Sequence, residues 1–201
     1  MGKSVIFLGK RKHPGSPRLK WPDAELWGTT HSNQKYQKHG QIMDWTAWWD
    51  VHPIHPTPWY RGIQALRPKT YEWYKTLPGP EHPKYRPLWM LEKDPAIPAA
   101  VVFPWQTYVD AFKIEGEVGT WFTCQVDWMM AHAILEGYEH IILHGHGVSH
   151  EPQHMVAHRG ILYWIAVARE RGIKVTVVAP SWYLAPEKPY GVAAGGWGLR
   201  R

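Results

Sequence analysis

The sequence predicts a single α/β domain, with helices on both faces of a mostly parallel sheet. Three observations predict it. Short continuous apolar runs, "SVIFL", "HIIL" and "VTVV", have the length and two-sided hydrophobicity of strands buried in a parallel sheet. The last two alternate with segments of helical period, giving a helix–strand–helix–strand order. The chain of 201 residues is long enough to bury one sizeable core.

The elements follow in order. "SVIFLGK" is the first strand, and Gly9 opens a basic loop. "AELWGTT" is a short second strand. "MDWTAWWDVHP" alternates as a third, with Asp44, Thr46 and Trp48 on one side and Trp45, Ala47 and Trp49 on the other. "KTYEWYKTL" reads as a short helix, "PLWMLEK" as a fourth strand and "FPWQTYVDAF" as another short helix. Residues 53–104 form a proline-rich insertion whose aromatics argue against disorder. Thr123 is an N-cap candidate for a helix in which Val126, Met129, Met130, Ala133 and Ile134 share a face and Gly137 is the stop. "HIILH" is the next strand. "MVAHRGILYWIAVARERG" is again helical, with Ile161, Trp164, Ile165 and Ala168 on one face, and "IKVTVVAP" is a last strand. The domain is read as residues 1–190, and 191–201 as a mobile tail.

Composition narrows the partners. The net charge of +6 favours anionic ligands, namely phosphates, nucleotides or nucleic acid. Fourteen tryptophans suit a core, or a platform for stacking bases. The lone Cys124 rules out an intrachain disulfide and fits a reducing compartment. No apolar run reaches the length of a membrane span or a signal segment, so a cytoplasmic protein with no membrane partner is expected.

Ligands of open parallel sheets bind beyond the C-terminal strand ends. Four loops collect there: "GKRKHPGSPR", "GTTHSNQ", "DVHPIHP" and "GHGVSHEPQH". In the first, Lys10, Arg11 and Lys12 stand between glycines and either cradle a phosphate or form a solvated turn; Walker spacing is absent. In the third, Asp50 and His52 lie two apart on one side of a strand. They either orient a base or hold two loops together. In the fourth, Gly145 and Gly147 leave His146 on permissive backbone, where it is expected to turn into the rim as a base or phosphate partner. His154 and His158 have the four-residue spacing of a metal pair, without H-E-x-x-H. Cys124 at a helix start is either an activated thiol or an inert core residue.

"GTWFTCQVDWMMAHAILEGYEHIILHGHGVS" resembles a segment of bacterial CMP-sialic-acid-dependent sialyltransferases, and its layout also resembles archaeal-type hydroxymethylpterin pyrophosphokinases. With "FLG", "LWGTT", "DWTAWWDVH" and "EKPYG" added, the chain looks most like an uncharacterised family of tailed-phage proteins. The resemblance implies a Rossmann-like fold whose rim takes a nucleotide or nucleotide-sugar. By it, Gly9 and Ser16 flank phosphate, Thr29 and Thr30 the nucleoside, and Thr120 and Thr123 form the opposite wall. The leading expectation is a glycosyltransferase-like enzyme with His146 or His52 as base and no metal. The alternatives are a non-catalytic nucleotide or nucleic-acid binder, and a metal-dependent hydrolase built on the histidine loop.

Overall fold

A computed structural model describes residues 2–9, 17–29, 44–54, 68–116, 121–146 and 152–178. Seven strands form one sheet: β1 Ser4–Leu8, β2 Glu25–Thr29, β3 Ala47–Asp50, β4 Leu88–Met90, β5 Ala100–Val102, β6 His140–His144 and β7 Lys174–Val178. Every pairing is parallel, and the order is β5-β4-β3-β2-β1-β6-β7. Among the described residues four α-helices connect them: α1 Pro68–Lys75, α2 Trp105–Ala111, α3 Gln125–Leu135 and α4 Pro152–Glu170. Among the described residues no helix is long and apolar enough to cross a membrane.

The sequence explains why β1 is central. Val5, Ile6, Phe7 and Leu8 are all completely buried, which only a strand covered on both faces achieves. Val5 and Phe7 join one core, with Trp27, Trp49, Leu143 and the buried faces of α3 and α4. Ile6 and Leu8 join the other, with Leu26, Trp48, Leu88 and Tyr74 of α1. Each such side chain contributes about 1.5–3 kcal/mol on burial. From β1 to β5 the chain steps one way across the sheet, with α1 on one face. It then returns beside β1 through α2 and α3 and continues outward through α4, on the other face. Direction and face reverse together, as a constant crossover hand requires.

Both long helices stop on glycine. Gly137 has φ +73°, and the N–H groups of Gly137 and Tyr138 donate to the carbonyls of Ile134 and Ala133 at 3.3 and 3.0 Å. Gly172, at φ +77°, ends α4 in the same way. The expected apolar face of α4 is present: Ile161, Trp164, Ile165 and Ala168 are all buried.

Local readings differ from the structure at β5, at Trp45 and at the α3 cap. The run "AAVVF" carries an unexpected strand, β5, at the sheet edge. Trp45 lies with Trp48 in the second core and not with Trp49. The expected alternation fails because Thr46 gives both its N–H and its hydroxyl to the Leu26 carbonyl, and its oxygen also accepts the Leu26 N–H. The N-cap of α3 is Cys124 and not Thr123, because backbone extension persists through Cys124 (φ −156°, ψ 172°).

Candidate functional site

The strand order reverses between β1 and β6, and their C-terminal ends meet tightly. The Gly9 N–H donates to the His144 carbonyl at 2.8 Å. A Cβ on Gly9 would lie closer than 3.0 Å to the Gly145 carbonyl and the His146 nitrogen. Gly145 itself turns the chain out of β6 with φ +74°, where a side chain is strained. These two glycines therefore set how closely the strand ends approach. Gly9→Ala is expected to lower stability by about 2 kcal/mol, read as a drop in the denaturant midpoint, because backbone and not a flexible side chain blocks the new methyl.

His146 turns its ring toward the end of β1. Its ring is buried, and its Nε2 lies 3.0 Å from the Phe7 carbonyl. A carbonyl only accepts, so Nε2 carries the proton and the ring ties the exit of β6 to β1. His144 is buried as well and meets the edge of Trp21 at 6.4 Å between ring centres.

Three strands along, the end of β3 carries a different arrangement. Asp50 is completely buried. Its Oδ1 lies 2.6 Å from His52 Nδ1 and accepts the His52 backbone N–H at 3.2 Å. Its Oδ2 accepts the Tyr74 hydroxyl at 2.6 Å. Tyr74 is buried on α1, whereas the His52 side chain is 36% exposed. The next turn is pinned by the Ile54 N–H, which donates to Glu92 Oε1 at 3.2 Å. The two-residue spacing of Asp50 and His52 thus gives real contact, made by the turn that leaves the strand.

The start of α3 reaches the same end of the sheet, since Gln125 Nε2 donates to the Trp49 carbonyl at 2.6 Å. The two amide groups just before the helix bond within the chain. Asp127 Oδ2 accepts the N–H groups of Thr123 and Cys124 at 2.7 and 2.9 Å, and the Thr123 hydroxyl at 2.8 Å. The helix N-terminus therefore already holds a carboxylate of its own chain. Burial pushes the Asp127 carboxyl up to about 6, although these hydrogen bonds pull it down. Burial, with the neighbouring Asp127, also pushes the Cys124 thiol well up, which favours the inert reading of that residue.

Thr29 closes β2, level with Trp49 of β3, so it stands on the C-terminal rim. Gly9, Gly145, Asp50 and His52 share that rim. Lys10, Arg11, Lys12, Ser16, Thr30 and Thr120 lie outside the described residues. His154 and His158 fall on α4, as expected. Among the described residues no three His, Cys, Asp or Glu side chains come together as a metal site. Of the tryptophans described, Trp27, Trp45, Trp48, Trp49 and Trp164 are core residues, while Trp105 and Trp121 are exposed, which favours packing over a stacking platform. Two residues of the site went unremarked in the sequence. Tyr74 gave no signal, because 24 residues separate it from Asp50. Asp127 did give one, an acid at the third position of a helix. Comparison of the chain with models of protein families, with curated proteins and with solved structures finds no match.

Proposed function

We propose that the protein binds a phosphate-bearing, nucleotide-type small molecule at the β1/β6 strand ends and transfers a group from it to a second substrate. The observation that carries this reading is the sheet order, which reverses between β1 and β6. In open α/β sheets the crevice at that reversal is where nucleotides bind. Gly145 supports it, since it turns the chain out of β6 at φ +74° with no side chain beside that crevice.

Charge supports it too. The connections 10–16, 30–43 and 55–67 leave the C-terminal ends of β1, β2 and β3 in chain order. Together they carry seven lysines and arginines and no aspartate or glutamate, against a net +6 for the whole chain. The rest of the chain is thus close to neutral, and the excess positive charge enters the sequence at these strand ends. Basic groups there would neutralise the leaving phosphate without a metal.

Thermal unfolding in the presence of nucleotides and nucleotide-sugars tests the reading. A ligand at a hundred times its Kd stabilises by about 2.7 kcal/mol, or roughly 5–10 °C for a chain of this size. Replacing Lys10, Arg11 and Lys12 together by alanine is expected to abolish that shift while leaving the melting temperature of the free protein within about 1 °C. Removing one charge-assisted hydrogen bond to phosphate weakens binding by about 1.5–3 kcal/mol. A panel in which no nucleotide raises the melting temperature would overturn the proposal.

A further inference from the structure

The hydrogen-bonded chain from Tyr74 through Asp50 to His52 runs from the core to the rim, and its donors and acceptors have a definite order. The Tyr74 hydroxyl and the His52 backbone N–H both donate to Asp50. The carboxylate is therefore an acceptor on both oxygens, and His52 Nδ1, 2.6 Å from Oδ1, must supply a hydrogen. In the neutral ring the lone pair is then on Nε2. Asp50 has no exposure, so the exposed third of the His52 side chain faces away from it. Three other described histidines, His82, His132 and His146, lack this combination. His146 gives its Nε2 hydrogen to Phe7, and His132 is buried among aromatic rings. His82 Nδ1 accepts the Lys84 N–H, which puts the ring hydrogen on its Nε2.

We propose that His52 Nε2 is the proton acceptor for the transfer at the rim, with Asp50 fixing its tautomer and Tyr74 acting as a positioning residue that fixes Asp50. The role in transfer rests on the reading given under Proposed function; the tautomer and the relay do not. In the step, the acceptor's O–H or N–H gives its proton to Nε2 while its oxygen or nitrogen bonds to the transferred group. The bond from that group to the donor phosphate breaks, and its electron pair leaves on the phosphate oxygen. The resulting imidazolium is held by Asp50, and the phosphate takes the proton or releases it to water as the site resets. Tyr74 matters because its hydroxyl bonds the second oxygen of a completely buried carboxylate and so helps to hold that carboxylate in place.

The test uses the full chain and two readouts. Nitrogen-15 NMR of the histidine rings at neutral pH is expected to show His52 with its hydrogen on Nδ1; a hydrogen on Nε2 would sink the relay. Carbethoxylation by diethyl pyrocarbonate, followed by mass spectrometry, then reads the nucleophilicity of Nε2. Asp50→Asn is expected to slow labelling of His52 roughly tenfold and Tyr74→Phe roughly threefold, since each weakens a charge-assisted hydrogen bond behind the ring. A purely structural clamp gives the opposite sign, because releasing the ring exposes it and leaves labelling unchanged or faster. Protection of His52 by whichever nucleotide raises the melting temperature tests the role in transfer. Slowed labelling in the variants without such protection would leave the relay standing and remove the transfer site from this part of the rim.

Discussion

Gly160→Ala is expected to lower the unfolding free energy by about 3 kcal/mol, even though alanine favours a helix by about 1 kcal/mol over glycine. Gly160 lies on α4 where it crosses the start of α3. A Cβ there would lie closer than 3.0 Å to the Thr123 hydroxyl oxygen and to Asp127 Oδ2. These atoms have little room to yield. The Thr123 hydroxyl bonds Asp127 and reaches the Val156 carbonyl at 3.2 Å, while Asp127 holds the first two amides of the α3 cap. The added methyl thus breaks a cap and separates two helices whose buried faces share one core. Urea unfolding measures the loss. The cost should shrink in a Thr123→Ala background, where the nearest atom is gone, so a double-mutant cycle should give a coupling of about 1 kcal/mol or more. An alanine variant as stable as the parent would refute this account of the α3–α4 crossing.

The second large effect is hidden in the parent protein and appears when one of two groups is removed. Burial among Trp27, Trp49, Trp89 and Phe103 lowers His132 from 6.5 to about 4. Between those values the unfolded chain binds a proton that the folded one refuses, so acidification from pH 6.5 to 4 destabilises the fold. Asp127 behaves oppositely. Its folded value of about 6 lies above the 3.8 of the ordinary carboxyl, so the folded chain binds the extra proton, and acidification through pH 6 to 4 stabilises. Each group contributes about 3 kcal/mol across its window, and the windows nearly coincide. From these two groups the parent stability should be almost flat between pH 4 and 6. Asp127→Asn leaves His132 unopposed, and its stability should fall by about 3 kcal/mol more than the parent's over that interval. His132→Gln should show the reverse slope. His140, half-buried beside Lys174, is also lowered, and it acts equally in parent and variants. Urea midpoints at several pH values give the comparison; parallel curves for the parent and Asp127→Asn would refute it.

Most of the fold was legible because it is written in local chemistry. The β1 and β6 strands carry unbroken apolar runs, Val5 to Leu8 and Ile141 to Leu143, which marks two-sided burial. Gly137 and Gly172 announce the helix ends. The α4 start at Pro152 lies three residues before the expected Met155, and proline at the first helical position was the available signal. The β5 strand was not legible, because three residues in a proline-flanked stretch become a strand only by pairing with β4. The same division holds at the rim. The Asp50–His52 pair is a two-residue spacing and can be read; Tyr74 arrives through a crossover and cannot. The direction of His146 was open on glycine-flanked backbone, and a partner remote in sequence, the Phe7 carbonyl, fixes it.

The place of β1 has a consequence for how the chain is made. Ser4 pairs with His140, and Leu8 with His144, so one edge of the most apolar strand waits for the sixth strand. A ribosome adds about 5–20 residues per second, so on the order of ten seconds or more separate the emergence of the two. During that interval β2 can cover one side, while the other presents open amides and carbonyls beside four fully apolar residues. Long-range pairings of this kind are slow to form even in a finished chain. The nascent protein therefore depends most on protection from association between the synthesis of its first strand and its sixth, and a product that stops short of residue 140 keeps that open edge permanently.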